Sequence, residues 1–317
     1  MTAVLPTGLT FRRPTKDDAG AIYELVAAYN TAIVGWPDFT FDDMVDELSE
    51  PGFDLDQDGW LVFAGETLTG YGTVFGHGAH ELLDIDVYAS DRAVADWLLA
   101  NVIARAEEMA ASHGQSEVML DTGTYRDDLA KRELLADNGF VAGTTFHRMR
   151  IDHTGPVSPP EVPEGVVVRR GATDEATRRV LHEVFTESFT GQFGFTARSY
   201  EDWFTARESK STFDWAKVTL LEMDGRAVAF LEDTGEFIED ENCNYVSRLG
   251  VLEEARGRGL AKFLLRDAFA AGAAAGRAGT ILHVDTNNPT PALDLYLSVG
   301  MQPTLVIDVW RRTLQVG

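Results

Sequence analysis

The sequence has a single cysteine, few basic residues and no long apolar run. One cysteine cannot form an internal disulfide, and such low usage is typical of a protein from a reducing compartment. Lys and Arg number 27 against 51 Asp and Glu, which gives a formal net charge of −24. Nucleic acids and anionic membranes are bound by basic residues that neutralise phosphate, so this deficit argues against both as partners.

The chain also lacks a segment that could span a membrane. Its most apolar stretch, residues 260–284, is interrupted by four charged side chains, whereas a spanning helix needs about 20 predominantly apolar residues. Residues 1–6 lack the basic and apolar regions of a secretory signal. We therefore expect a soluble cytoplasmic protein whose partners are small molecules.

An internal repeat organises the 317 residues. Residues 6–17 (PTGLTFRRPTKD) return as residues 163–174 (PEGVVVRRGATD), an offset of 157. Residues 134–140 (LLADNGF) similarly match residues 295–301 (LYLSVGM), an offset of 161. Two matches in the same order at nearly equal offsets indicate a tandem duplication.

The boundary between the repeats is rich in proline. Residues 152–163 hold four of the eleven prolines, a density that excludes helix and interior strand and is typical of a semi-rigid linker. We predict a first domain over 1–151, a linker over 152–163 and a second domain over 164–317. Within each domain, hairpin strands and helical crossovers alternate, which predicts an α/β fold with a mixed sheet.

The most chemically specific segment is Arg256-Gly257-Arg258-Gly259-Leu260-Ala261, between a predicted strand and a predicted helix. Glycines let the backbone approach a ligand closely, and the free N–H groups at a helix N-terminus attract anions. The two arginines add positive charge. The loop therefore predicts a diphosphate site, although a tight turn with two solvated arginines has the same sequence pattern.

Two other glycine motifs fit the loop less well. A P-loop requires Gly-x-x-x-x-Gly-Lys-Ser/Thr, which occurs nowhere in the chain. A dinucleotide fingerprint requires a third glycine, and Lys262 stands at that position. In its favour, Asp285 lies roughly where the fingerprint has an acidic residue that binds ribose. A nucleotide-dependent oxidoreductase therefore remains an alternative.

At this loop the sequence resembles the GNAT superfamily of acetyl-CoA-dependent N-acyltransferases. The family signature Gln/Arg-x-x-Gly-x-Gly/Ala is similar to Arg256-x-x-Gly259-x-Ala261, and the strand ending at Val251 precedes it at the family's spacing. A second family block is similar to Asn288, Ala292, Leu295-Tyr296 and Gly300-Met301. The tandem arrangement is similar to that of the mycothiol synthase family, whose strand carboxylate is replaced here by Tyr245.

The resemblance implies two tandem GNAT-like domains, with acetyl-CoA as co-substrate across a splayed sheet in the second. It also implies Tyr296 as the general acid that protonates the leaving thiolate, and the reference pKa of tyrosine, about 10, suits that proton transfer. Backbone groups near Leu249 and Val251 would hold the pantetheine arm and the thioester carbonyl. The implied cofactor-binding residues are Leu249, Val251, Arg256, Gly257, Arg258, Gly259, Leu260, Ala261 and Asn288. No metal is implied.

The general base is left open by the sequence. Some family members place a carboxylate six residues before the position of Val251, and here that position is Tyr245. Four acidic residues nearby could act directly or through water, although each is individually better explained as an acidic surface residue: Glu232, Glu239, Asp240 and Glu241.

The first half lacks the residues of the glycine loop. In the alignment of the two repeats Ser90, Asp91 and Ala93 stand at the positions of Arg256, Gly257 and Gly259, and Leu135 stands at that of Tyr296. We therefore predict that the first domain is degenerate and structural. The leading hypothesis is an acetyl-CoA-dependent N-acetyltransferase of a small-molecule primary amine, with its site in the second domain. A catalytically silent acyl-CoA-binding protein is the alternative.

Overall fold

The computed structural model of the protein describes residues 4–76, 80–287, 290 and 292–316. The chain divides into two compact units. Unit 1 comprises Met1–Thr145 and Ile307–Gly317, and unit 2 comprises Phe146–Val306. Each unit combines a mixed sheet with helices, which confirms the predicted fold class. None of the helices in the described part of the chain is both long enough and apolar enough to cross a membrane.

The first half of the chain alternates strands and helices. Its elements are β1 (Leu9–Arg12), α1 (Ala19–Val34), α2 (Phe41–Glu47), β2 (Gly59–Ala64), β3 (Thr67–Gly76), β4 (Leu82–Tyr88), α3 (Arg92–Ser112), β5 (Glu117–Tyr125), α4 (Leu129–Asp137) and β6 (Val141–Asp152).

After residues 153–165, which contain neither helix nor strand, the second half repeats this order with one added helix between its third and fourth strands. Its elements are β7 (Val166–Arg170), α5 (Glu175–Phe189), α6 (Tyr200–Glu208), β8 (Val218–Met223), β9 (Arg226–Thr234), α7 (Ile238–Glu241), β10 (Cys243–Val251), α8 (Leu260–Ala274), β11 (Gly279–Asp285), α9 (Ala292–Ser298) and β12 (Gln302–Gln315).

The two units build their sheets in the same way. In unit 1, β1-β2-β3-β4 is an antiparallel meander, and β5 pairs with β4 in parallel. In unit 2, β7-β8-β9-β10 is antiparallel, and β11 pairs with β10 in parallel. The parallel pairs are joined by α3 and α8, because a parallel connection needs a crossover of this length. The correspondence agrees with the duplication predicted from the sequence.

The last strand of each sheet comes from the other half of the sequence. In unit 1, β5 pairs antiparallel with Ile307–Gln315 of β12. In unit 2, β11 pairs antiparallel with residues 146–152 of β6. The compact units therefore differ from the sequence-based domain ranges at these two strand segments. The sequence pattern of a strand specifies which residues face the core but not which neighbour completes its backbone hydrogen bonds.

The core of unit 2 has two layers, one on each side of the sheet. On one side α8 packs Leu260, Phe263 and Leu264 against strand residues such as Leu231 and Val246. On the other side α5 and α6 pack their apolar residues against Phe230 and Leu220. The sheet is therefore covered by helices on both faces.

The exchanged strand β12 is fixed in unit 1 by a two-point ion pair. Arg311 donates from Nε and Nη2 to the carboxylate of Asp121 on β5, at 2.7 and 2.6 Å, and Asp121 is buried. We expect Arg311→Ala to lower the free energy of unfolding by about 2–3 kcal/mol, since it leaves a buried carboxylate without its partner. Urea unfolding measures the loss.

The matched control is Arg169→Ala, which removes the partner of Glu222 in a pair whose arginine is half exposed. Such surface pairs contribute about 0–1 kcal/mol. Equal losses in the two variants would show that the Arg311–Asp121 pair does not hold the exchanged strand.

Candidate active site

A cleft opens in unit 2 where β10 and β11 separate. The two strands pair only at Cys243–Tyr245 with Gly279–Ile281, and no further pair joins them in the described part of the chain. Beyond this point both strands line a cleft of about 770 Å³. That volume is suited to a small-molecule or cofactor ligand. The edge of β10 that faces the cleft presents backbone groups that β11 does not use, and such groups need a hydrogen-bonding partner.

The glycine loop forms one end of this cleft. Gly257 and Gly259 have φ values of 75° and 76°, in the left-handed region that favours glycine. Gly259 is the N-cap of α8, and no side chain caps the helix there. The first amides of α8 are therefore available to an anion at the positive end of the helix dipole. Arg256 lines the cleft and donates from Nε to the carbonyl oxygen of Val251, at 3.2 Å.

Tyr296 lines the cleft from α9 and is 8% exposed. Burial raises the pKa of its hydroxyl to about 12. The phenol therefore stays protonated at physiological pH. It can donate a proton to a group that becomes negatively charged inside the cleft, but it cannot serve as a neutral-pH base.

Aromatic side chains of α5 and α6 form a wall of the cleft, among them Phe185, Phe189 and Trp203. Close packing against β10 requires the glycine at position 250. A Cβ there would lie 2.4 Å from Oγ of Ser188 and 2.4 Å from the ring of Phe230. Only glycine lets α5 approach the strand this closely.

Comparisons with known proteins agree with this geometry. Residues 178–301 match the model of the Acetyltransferase (GNAT) family. The matched residues lie in the second half of the chain and include both strands that open the cleft. No sequence among the curated proteins matches the chain.

Solved structures of GNAT proteins have the same fold along the chain. A GCN5-related N-acetyltransferase from Sphaerobacter thermophilus superposes with a TM-score of 0.81 at 23% identity, covering 99% of this chain and 98% of the other. A tandem GNAT protein from the clavulanic acid biosynthesis pathway superposes with a TM-score of 0.72 at 16% identity, covering 98% and 99%. The Saccharomyces cerevisiae N-myristoyltransferase with bound myristoyl-CoA superposes with a TM-score of 0.63 at 11% identity, covering 98% of this chain and 79% of the other. These likenesses confirm a tandem GNAT fold.

Most of the residues that the sequence singled out line the cleft of unit 2. They are Leu249, Val251, Arg256, Gly257, Gly259, Leu260, Ala261 and Tyr296. Arg258 is exposed and is not among the lining residues, and Asn288 lies outside the described residues. The roles of all these residues remain predictions.

The four acidic residues considered as general bases do not line the cleft. Glu232 is 2% exposed and accepts hydrogen bonds from the guanidinium of Arg207, with its Oε1 2.9 Å from Nη2. Glu241 is paired with Arg148 and Arg150. Glu239 and Asp240 are exposed on α7. Both paired carboxylates are therefore bound to guanidinium groups outside the cleft lining.

Lys262 was not predicted to be a site residue, yet it lines the cleft from the first turn of α8. A signal for it is present in the sequence. The positive end of the helix dipole disfavours a cation in the first turn of a helix, where acidic residues are preferred. A lysine beside a glycine loop at this position therefore indicates an anionic ligand.

Tyr245, which occupies the position of the family's strand carboxylate, is paired with a histidine of β11. The Tyr245 hydroxyl lies 3.0 Å from Nδ1 of His283, and both side chains line the cleft. Burial, together with the positive charges of Arg148 and Arg248, lowers the pKa of His283 to about 4. The imidazole is therefore uncharged at neutral pH.

Unit 1 uses the equivalent helix end differently. The N-cap of α3 is Asp91, whose Oδ1 accepts hydrogen bonds from the amides of Ala93 and Val94 at 2.9 and 3.1 Å. Asp91 and Gly259 are the N-cap residues of α3 and α8, so they occupy equivalent positions in the two units. The sequence alignment instead pairs Asp91 with Gly257, two residues earlier. In α3 the Asp91 carboxylate thus accepts hydrogen bonds from the first amides of the helix, whereas the first amides of α8 have no side-chain acceptor.

In unit 1 the parallel strands β4 and β5 also separate after three residue pairs. At this opening, however, side chains of unit 1 itself lie against the strands. β4 and β5 pair only at Leu82–Asp84 with Met119–Asp121 among the described residues. Next to this point Lys131 of α4 is 6% exposed, with Nζ 3.2 Å from Oδ1 of Asp86 and 5.0 Å from the centre of the Tyr88 ring. A buried ammonium with its own partners therefore occupies space beside this opening.

No group of three or more His, Cys, Asp or Glu side chains is placed to hold a metal ion in the described ranges.

The His283 imidazole gives a pH-dependent prediction. Its NMR chemical shifts should stay constant from pH 8 to about pH 5, because the folded chain holds the pKa near 4 rather than near the ordinary 6.5. The folded state then binds fewer protons than the unfolded state between these pKa values, so this residue lowers stability as the pH falls through that window. A titration midpoint near 6.5 would contradict the prediction.

Proposed function

We propose that the protein is an acetyl-CoA-dependent N-acetyltransferase that acts on the primary amine of a small molecule in the cleft of unit 2. The observation that carries this proposal is the opening between β10 and β11, which has an uncapped helix N-terminus at one end and the protonated Tyr296 in its wall. The amides of α8, with Arg256 and Lys262, suit the diphosphate of coenzyme A. The free edge of β10 near Leu249 suits the amides of the pantetheine arm.

Transfer proceeds by direct attack, with no covalent intermediate on the protein. The amine nitrogen forms a bond to the thioester carbonyl carbon, and the C–S bond breaks as the tetrahedral intermediate collapses. Tyr296 donates its hydroxyl proton to the leaving thiolate and recovers one from water. The nitrogen loses one proton, and the products are an acetamide and free coenzyme A.

The proton of the amine leaves to water in this proposal. Glu232 and Glu241 are held in ion pairs, and the uncharged His283 has a pKa of about 4, too low to deprotonate an alkylammonium ion efficiently. The reacting form is therefore the unprotonated fraction of the amine. Activity should accordingly rise with pH until the amine is fully unprotonated.

Unit 1 is proposed to have a structural role, and the cytoplasm is the proposed location. Asp91 occupies the helix end that would bind a diphosphate, and its negative charge would repel that ligand. A reducing, acetyl-CoA-containing compartment fits the single cysteine, which is buried at position 243.

Cofactor binding is tested by placing a carboxylate at the N-terminus of α8. We expect Gly259→Asp to weaken acetyl-CoA binding at least tenfold, because the new carboxylate lies where the diphosphate is proposed to bind and repels it. Isothermal titration calorimetry measures the affinity. The matched control is Gly276→Asp, at another left-handed glycine with open space around it and outside the cleft.

The wild-type protein should also be stabilised thermally by acetyl-CoA. A ligand at a hundred times its Kd adds about 2.7 kcal/mol to the free energy of unfolding. Stabilisation by NAD(P)H alone would support the oxidoreductase alternative and contradict the proposal. Stabilisation by myristoyl-CoA alone would contradict the proposal that the transferred acyl group is acetyl.

Catalysis is tested by Tyr296→Phe. We expect kcat for acetyl transfer to an amine panel to fall by roughly a hundredfold, since general acid catalysis of this kind contributes about 10²–10⁴. The KM for acetyl-CoA should change little, because the ring remains. Tyr200→Phe, on α6 and outside the lining residues, is the control.

Unchanged activity in Tyr296→Phe would remove the tyrosine from its proposed role. If the wild-type protein binds acetyl-CoA but transfers acetyl to no amine, it is an acyl-CoA-binding protein and not an enzyme.

A further inference from the structure

The cleft has the opposite charge to the chain as a whole. The chain carries a formal net charge of −24. Five cationic side chains nevertheless line the cleft: Arg198, Arg207, Arg248, Arg256 and Lys262. Asp285 provides the only carboxylate among the described lining residues. This concentration of positive charge in an acidic protein indicates that the cleft binds anions.

Three of the five positive charges are accounted for, either by the proposed diphosphate site or by an ion pair within the chain. Arg256 and Lys262 lie at the N-terminal end of α8, where the diphosphate of coenzyme A is proposed to bind. Arg207 is neutralised by Glu232, and both side chains of that pair are largely buried. Neither explanation applies to Arg248.

Arg248 is exposed and forms no ion pair with another described residue. Its Nη1 donates to the carbonyl oxygen of the adjacent Ser247, at 2.6 Å. A guanidinium carries five N–H donors, so most of its hydrogen-bonding capacity remains for a ligand. The side chain is on β10 and lines the cleft.

The register of β10 specifies which face of the sheet Arg248 occupies. A β-bulge lies between Val246 and Arg248, and after it Arg248 is paired with Glu232. Cross-strand partners share a face, and Glu232 is bonded to Arg207 of α6. Arg248 is therefore on the α5–α6 face, whereas Leu249 and Val251 pack into the core formed with α8.

The charge of Arg248 reaches groups on that face. Its repulsion adds to burial in lowering the pKa of the Arg207 guanidinium and that of the His283 imidazole. Arg248 is thus close to the Tyr245–His283 pair and to the aromatic wall of α5 and α6, on the side of the sheet opposite α8. An acceptor that enters the cleft from this face meets Arg248.

We propose that the acceptor is a small amine that also carries an oxyanion, a carboxylate or a phosphate ester, and that Arg248 binds this oxyanion. The inference rests on the proposed function, because it names the substrate class of the same site. A guanidinium matches both oxyanions with two parallel hydrogen bonds, and these bonds orient as well as attract. Binding the oxyanion would position the amine relative to the thioester.

The test measures the binding of matched probes to the protein saturated with coenzyme A. Phenylalanine and 2-phenylethylamine differ by a carboxylate, and O-phosphoethanolamine and ethanolamine differ by a phosphate. We expect the anionic member of at least one pair to bind about tenfold to a hundredfold more tightly, the usual range for a charge-assisted hydrogen bond. The pair that shows the larger preference distinguishes the carboxylate from the phosphate.

The preference should disappear in Arg248→Met and should invert towards the neutral member in Arg248→Glu. The matched control is Arg169→Met, which removes one positive charge from the surface strand β7, away from the cleft. Because Arg248 is exposed, loss of folding is not expected, and the thermal unfolding midpoint of each variant verifies this.

Equal affinity within both pairs, including no measurable affinity for any probe, overturns the proposal. A preference that survives in Arg248→Met also overturns it. So does weaker coenzyme A binding by that variant, since Arg248 would then belong to the cofactor site. Failure of the proposed function is recognised separately, by the absence of acetyl-CoA binding or of acetyl transfer in the wild-type protein.

Discussion

The short parallel pairing between β10 and β11 is the constraint on which the site depends. Three residue pairs hold the strands together, and the bulge before Arg248 then changes the course of β10. Separation leaves one edge of β10 without a neighbouring strand, and it places the turn into α8 beside the same opening. Gly250 lets α5 close one face of the sheet. The backbone therefore creates the cleft, and the side chains around it determine the chemistry.

The two units have similar backbones around the opening between their parallel strands, but different side chains. Both sheets separate after three parallel pairs, and a helix follows the first strand of each pair. In unit 1 the helix end is capped by Asp91, and Lys131 is buried beside the opening. In unit 2 the cap is Gly259, and cations line the cleft. The first 155 residues carry a net charge of −17 and the remaining residues −7, so the half of the chain that holds the cleft is also the less acidic one.

Local features of the fold and site could be predicted from the sequence, whereas long-range ones could not. The glycine loop depends on neighbouring residues, and so does the turn between β8 and β9, where Asp224 and Gly225 both have the positive φ that a tight hairpin turn requires. The ion pair of Glu232 with Arg207 joins residues 25 positions apart on different elements. No spacing rule relates them, and the same holds for the contact of Tyr245 with His283. Arg248 gained significance only when the bulge showed which face of the sheet it occupies.

The exchange of β6 and β12 has a consequence for the order of folding. Most of unit 1 precedes unit 2 in the chain, but its sheet lacks an edge strand until Ile307–Gln315 has been synthesised. During translation β5 therefore presents an unpaired edge for as long as the whole second repeat is being made, and such edges are prone to intermolecular pairing. The contacts that complete the sheet join residues almost 200 positions apart, and pairing at such long range is slow. The repeat that begins synthesis first is thus completed last, and neither repeat expressed alone contains all the strands of its own sheet.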